Sequence, residues 1–357
     1  MKTLTIKIIL FTIICYASPY SQWSNDPYVN TRVSDWGVRP KICGDGTGGA
    51  FIGFNNFSYY STLNYLQRIT FDGYLKFTES IVFSEGGNFN SIRSLINSDS
   101  TKTIVGYISG IEYRDSNNTL IILNEPYAQR FDSNGNKLWG DSGLKLRTDT
   151  IQFLTSFYKL ASDNQGGVHC FWGFATQGGG SYAKKLYIQH ISSRGERLWG
   201  ENGILIADST FSTTGMWIIS DDRGGIFVHY RQRRSEYYLQ RYDSTGALQW
   251  TSILNMGYAK VIRDGLGGII ISGVEQDYPH NKLLINRISN SGKKLRQVEI
   301  EYGAKKGVNV SDLDPILLPE IVKDIDSLQR FVIESQKFNG VELKPEPLTK
   351  FEWLLGL

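Results

Sequence analysis

The chain has 357 residues, with 38 Lys and Arg against 35 Asp and Glu, a formal net charge of +3. That near balance leaves no basic footprint calling for nucleic acid or an anionic membrane surface, and the length allows one large all-β domain or two ordinary ones. Aromatic residues at 13%, with 37 Gly and only 9 Pro, favour strands joined by glycine turns.

At the N-terminus, Lys2–Lys7 is basic and polar, Ile8–Ile14 is a short apolar run, and small residues follow at Cys15 and Ala17. This pattern reads as a secretory signal peptide over residues 1–21, cleaved after Ala17 or just before Gln22. Two other readings stay open: a buried N-terminal strand, and a lipoprotein signal through Cys15, for which Ile14 is a poor preceding residue. No later stretch has the ~18 apolar residues of a membrane helix. The expected location is therefore extracellular, periplasmic or cell-surface, with residues 22–357 forming one domain. Cys43 and Cys170 fall in different repeats and read as small buried hydrophobes, not as a disulfide.

The remaining chain repeats itself. FDSNGNKLWG (Phe131–Gly140) returns as ISSRGERLWG (Ile191–Gly200) and YDSTGALQW (Tyr242–Trp250), with weaker echoes at Thr70–Phe77 and Ile288–Arg296. Four residues after the turn Gly stand Phe77, Trp139, Trp199 and Trp250, with Arg296 in the last copy. Each turn is preceded by Gln-Arg or a relative: Gln67-Arg68, Gln129-Arg130, Gln189-His190, Gln240-Arg241 and Asn286-Arg287. Upstream lies a second turn, Asp-x-x-Gly-Gly, at Asp45, Asp163, Asp221 and Asp264, degenerate at Asp99–Lys102, and followed by an apolar run. A sixth unit is faint, at Asp324–Ser327, Gln336-Lys337 and Asn339-Gly340.

One unit is thus four antiparallel strands joined by two tight turns and one open loop, which is a propeller blade. The expected fold is all-β: a β-propeller of about six four-stranded blades, the last degenerate, with Asn30–Val33 supplying a closing strand. A lone sheet of this kind exposes two apolar faces and buries them only against neighbouring copies. Because Gln-Arg recurs in every clear unit, it reads as frame: the arginines are expected to bond the repeated turn Asp or strand carbonyls. His190 is then a frame substitution, and His169 and His229 are buried, hydrogen-bonded residues rather than metal ligands.

The Gly-x-x-x-Trp spacing with an upstream Asp resembles the tryptophan-docking repeat of quinoprotein-like propellers, although that pattern has one more residue between Asp and Gly. The full unit is more similar to repeats in secreted and surface proteins of the Bacteroidetes group. The resemblance covers most of Asp45–Arg296 and implies fold far more than function.

Function is expected on the loops between second and third strands, at the end of the sheets opposite both turns. Tyr60, Tyr113, Trp172, Tyr182, Arg231, Arg233, Glu275, Asp277 and His280 are the candidate ligand-binding residues. Aromatic rings beside amides and charges suit a glycan, a peptide or another surface protein. Glu275, Asp277 and His280 form a weaker candidate acid/base or metal set. No nucleophile elbow, zinc motif or phosphate loop occurs, and Gly44–Gly49 precedes a strand rather than a helix, so no cofactor is expected. The leading expectation is a non-catalytic binding or scaffold protein. The alternative is an enzyme, a glycan-acting hydrolase or lyase or a quinone-dependent dehydrogenase.

Overall fold

The computed structural model describes residues 31–301, apart from 36, 58–61, 85–89, 100, 115–117, 119, 150–153, 176–181, 233–235, 255 and 278–279. All regular elements among the described residues are β-strands. The first sheet is β1 (Val38–Gly44), β2 (Ala50–Phe57), β3 (Thr62–Ile69) and β4 (Ile81–Ser84). The second is β5 (Ser91–Asp99), β6 (Lys102–Arg114), β7 (Leu120–Phe131) and the short β8 (Leu144–Lys145). Then come β9 (Leu154–Ser162), β10 (Val168–Ala175), β11 (Tyr182–Ile191) and β12 (Ile204–Ser220), followed by β13 (Ile226–Gln232), β14 (Glu236–Tyr242) and β15 (Leu248–Leu254). The last sheet is β16 (Gly257–Arg263), β17 (Ile269–Asp277), β18 (His280–Ile288) and β19 (Lys294–Glu301).

Strand order follows chain order in every sheet, and the pairings are antiparallel. The β9–β15 sheet has seven strands because β12 serves twice. Its first half pairs with β11 and its second half with β13, with the register broken between Ser212 and Trp217 around Gly215 (φ 73°). The described chain is therefore five four-stranded meanders, the third and fourth sharing a strand. Thr31–Val33 form no strand, so the expected closing strand is not found there, and Asn30 lies outside the described residues.

The first strands of successive sheets run beside one another: β1 by β5, β5 by β9, β9 by β12 and β12 by β16. The core sits between sheets rather than within one. Phe51 and Phe77 of the first sheet pack with Ile92, Tyr107 and Phe131 of the second. Trp139 packs with Tyr158 and Trp172 of the third, Trp199 with Met216 and Tyr230 of the fourth, and Phe227 with Met256 and Ile271 of the fifth. Strands buried on both faces read as unbroken apolar runs. VHCFWGFA of β10 is one, buried at every position.

The chain divides into two compact units: Met1–Glu275 with Leu284–Val298, and Gln276–Leu283 with Glu299–Leu357. The frame described below lies within the first.

Candidate active site

Both tight turns are consumed by the frame. In the first turn, Asp45 Oδ1 accepts from the amides of Thr47 and Gly49 at 2.8 Å, while Oδ2 accepts from Arg68 Nε and Nη2 at 3.0 and 2.7 Å. Asp221 with Arg241 repeats this arrangement, and Asp264 keeps the two amide bonds and accepts from Arg287 Nε at 3.0 Å. In the degenerate second unit Arg130 still reaches Asp99, at 2.5 Å. In the third, His190 Nε2 stands 3.0 Å from Asp163 Oδ2, so the histidine takes the arginine's place. Burial opposes ionisation of Asp45, but the amides of Thr47 and Gly49 and the Arg68 guanidinium outweigh it, and the carboxyl lies below its ordinary value.

The second glycine of this turn has a steric cause. A Cβ on Gly49 would lie 2.7 Å from Asp45 Oδ2 and closer still to the carbonyl oxygen of Ile69; Gly225 and Gly268 repeat the conflict. The second tight turn places Gly73, Gly135, Gly195, Gly246 and Gly292 at φ between 81° and 86°, the left-handed conformation that glycine adopts freely. Onto that bare glycine the preceding sheet lays its ring. Trp139 covers Gly195 and donates Nε1–H to Ser193 O at 3.2 Å. Trp199 covers Gly246 and donates to Ser244 O at 3.0 Å, and Trp250 covers Gly292 and donates to Asn290 O at 2.7 Å. Gln67, Gln129 and Gln189 each fix the ring-bearing segment of their sheet by accepting from the amide of Phe77, Trp139 or Trp199. Gln129 Oε1 accepts from the Trp139 and Arg130 amides, and its Nε2 donates to Gly140 O at 2.6 Å.

The other histidines are also absorbed by this frame. His169 bonds Gly224 O at 3.2 Å and His229 bonds Gly215 O at 3.0 Å. Burial pushes the His169 imidazole down to about 3, with the nearby His190 adding to it, and the His229 imidazole down to about 4. Both are neutral at physiological pH. Among the described residues no three His, Cys, Asp or Glu side chains are placed to hold a metal ion.

The opposite end of the sheets is built differently in each. The connection after β8 carries Arg147 and Asp149. The Arg147 guanidinium is buried against two rings of the next sheet, 4.7 Å from the Tyr187 centroid and 5.2 Å from that of Phe174. Its Nε and Nη2 both bond the Asp149 carboxylate. Asn202 Oδ1 accepts from the backbone amides of Thr148 and Asp149 at 3.0 and 3.1 Å. Asp149 is thus held rigidly while remaining 44% exposed, and the Arg147 bond keeps its carboxyl below the ordinary range. Glu112 lies near the end of β6, Glu236 opens β14 and Glu275 lies near the end of β17, so acidic residues of three sheets share this end. Tyr238 donates to Glu236 at 3.0 Å.

The residues expected to bind ligand are distributed unevenly. Tyr60 and Arg233 lie outside the described residues, Tyr113 and Tyr182 occupy strand positions at this end, and Asp277 ends β17 and His280 opens β18. Arg231 is in β13 with its guanidinium 5.3 Å from the Tyr237 ring, and Glu275 is half-buried in β17. Trp172 departs from expectation. It is fully buried in β10 and stacked on Tyr187 at 5.7 Å, because the apolar run continues through Ala175 and leaves no loop at 172. Strands run further than expected elsewhere too: β6 extends to Arg114, β17 to Asp277, and β18 begins at His280. The Arg147–Asp149 pair escaped the sequence reading because its partners, Phe174, Tyr187 and Asn202, are all remote in the chain.

No protein-family model matches the chain, and no curated protein does. Solved structures do. A protein of unknown function from Dyadobacter fermentans aligns at 7% identity and TM-score 0.42, over 76% of this chain and 84% of that one. A eukaryotic initiation factor aligns at 9% and 0.41 over 74% and 56%, and a microbial sialidase, Hz136, at 10% and 0.40 over 72% and 57%. In the last two the match spans less than two thirds of the other chain. Such likenesses speak only to the repetitive, sheet-built fold. Further matches are to a sucrose-6-phosphate hydrolase, an endo-arabinase, a glycosyl hydrolase and a fructan exohydrolase. The expectation of a non-catalytic binding or scaffold protein is corrected here: the solved structures named above are for the most part enzymes. The quinoprotein-like resemblance finds no counterpart in these comparisons.

Proposed function

We propose that the chain is a secreted β-propeller that cleaves glycosidic bonds, with its reacting groups at the end of the sheets opposite the Asp and Gly turns. The observation that carries this reading is Asp149, an exposed carboxylate gripped by a buried arginine. Glycoside hydrolysis needs two carboxyl groups in different environments, one ionised and one able to give a proton. Asp149 suits the ionised role, since Arg147 favours its charged form. Glu112, Glu236 and Glu275, on strands that reach the same end, supply candidates for the proton donor. The propeller itself is supported by four ring-on-glycine dockings handed on in one direction, Phe77 to Gly135 through Trp250 to Gly292. A sixth blade rests on the faint repeat at Asp324–Gly340, and export rests on the signal-like residues 1–21.

The test is reducing-end release from a panel of plant, microbial and host polysaccharides by the purified full chain. Activity on at least one, abolished in Asp149→Asn and in one of the three Glu→Gln variants, is expected. Silence across the panel, or activity indifferent to all four changes, refutes the reading.

A further inference from the structure

One row of residues crosses the first sheet near the end opposite the Asp and Gly turns. Val38 pairs with Asn55, Asn55 with Asn64, and Asn64 with Ser84. Residues paired directly across antiparallel strands point to the same face, so the two amides and the hydroxyl stand side by side. That face is the one turned to the second sheet. Gly53 and Leu66 lie two residues from Asn55 and Asn64 in the same strands, and alternate residues of a strand share a face. Leu66 packs with Ile92 of β5, and a Cβ on Gly53 would lie 3.1 Å from the same isoleucine. Asn90, just before β5, donates Nδ2–H to Thr62 O at 2.9 Å and ties the second sheet to the first beside this row.

The row is enclosed, and its hydrogen bonding is incomplete. Asn55 and Asn64 are fully buried and Ser84 nearly so. Asn55 Nδ2 donates to Asn64 Oδ1, which leaves Asn55 Oδ1, Asn64 Nδ2 and Ser84 Oγ without partners among the described residues. Turning both amides end for end keeps one bond between them and still leaves one N–H and one C=O over. Buried polar groups are costly to leave unmet, and native proteins satisfy nearly all of them. The amides are not part of the repeating frame. Ten residues after the turn aspartate, where the first sheet has Asn55, the third has Gly173, paired with Leu186, and the fifth has Val274.

The leftover atoms discriminate among ligands. A metal ion or an ammonium group accepts nothing from Asn64, and an ionised carboxylate or sulfate donates nothing to Asn55. A neutral oxygen that carries a proton does both. The Ser84 hydroxyl, able to give or take, completes the roughly three bonds that an enclosed water makes.

We propose that Asn55, Asn64 and Ser84 form a binding site for one hydroxyl oxygen, supplied by water or by a neutral sugar entering from this end of the sheets. That a sugar supplies it rests on the glycosidic reading above; that the group is a hydroxyl does not. Occupancy is measured apart from turnover, so the two ideas fail separately.

The test begins with crystals of the full chain, free and soaked with a maltooligosaccharide or an arabino-oligosaccharide. A single oxygen within about 3 Å of both the Asn55 and Asn64 amides is expected in the free crystals. If it persists after soaking, water is the source; if a ring hydroxyl replaces it, sugar is. In solution, oxygen-17 relaxation dispersion counts the long-lived waters of the full chain, and calorimetry reads binding of the same two oligosaccharides. Asn55→Leu combined with Asn64→Leu removes both polar demands while keeping much the same shape. That variant should lose one long-lived water, or lose oligosaccharide affinity on the order of tenfold, while still melting cooperatively. Should it not fold, the crystals of the native chain decide. An ion in the row, no oxygen there, or a folded double variant with water count and sugar affinity both unchanged overturns the proposal.

Discussion

Arg68 holds the carboxylate of Asp45 through two nitrogens, at 3.0 and 2.7 Å, while a third, Nη1, donates to Ser133 O of the neighbouring sheet at 3.1 Å. One side chain thereby closes the turn of its own sheet and ties that turn to the next. Arg68→Ala leaves a carboxylate with no solvent exposure and no cation, a loss on the order of 3–5 kcal/mol. Arg68→Lys, which keeps the charge but not the fork, should lose less. The check is denaturant unfolding of both variants, together with Asp45→Ala and the double mutant. If the double mutant simply sums the two losses, the pair is not acting as a unit.

The ring of Trp139 lies where a side chain on Gly195 would have to be, with Cδ1 3.0 Å from an added Cβ. Gly195→Ala combines that conflict with a φ of 86° and should destabilise by more than 1 kcal/mol. Trp139→Ala should cost about 3–5 kcal/mol through the cavity it leaves. Trp139→Phe should cost less, since it keeps most of the ring and loses the bond to Ser193. Midpoints of guanidinium unfolding decide among these, and equal losses for Phe and Ala would show that ring burial is not the main term.

Acid should unfold the chain in two overlapping stages. His169 and His229 have folded values near 3 and 4, well below the ordinary 6.5. Below about pH 6.5 the unfolded chain takes up protons that the fold refuses, so stability falls as pH drops, by roughly 1.4 kcal/mol per unit per histidine. The carboxyls of Asp45, Asp163 and Asp264 are depressed, so their contribution is present above about pH 3.9 and disappears as pH falls through their folded values. Melting temperatures between pH 7.5 and 4 should fall steadily. His229→Gln should flatten that slope, and a slope unaltered in the variant would count against a neutral buried imidazole.

Burial pushes the Cys170 thiol up to about 12, and the side chain is fully enclosed. The thiolate is the reactive form, so Cys170 should resist a disulfide reagent in the native chain and react once guanidinium is added. Rapid modification of the folded protein at Cys170, located by mass spectrometry, would contradict the packing between the second and third sheets.

The frame was legible because its parts are local and recur. A turn that needs Asp at one place and Gly at two others writes those letters into every copy, and Gln-Arg two strands later marks its partner. The reading failed where chemistry is neither local nor repeated. Trp172 looked like a loop residue because a strand buried on both faces has no alternation to show where it ends. Asp149 drew no attention because the arginine that orients it is anchored by rings 27 and 40 residues further on, at Phe174 and Tyr187.

By itself, then, the order of residues determined the sheets: apolar runs set the strands, and Asp and Gly set the turns, since each depends on backbone conformation within a few positions. Tertiary structure alone decided which side chains meet. It laid Trp139 on Gly195 and set Arg147 against Tyr187 and Phe174. Those meetings join separate sheets, and sheets come together by burying apolar faces, a force without direction that fixes neighbours only once the whole stack has formed.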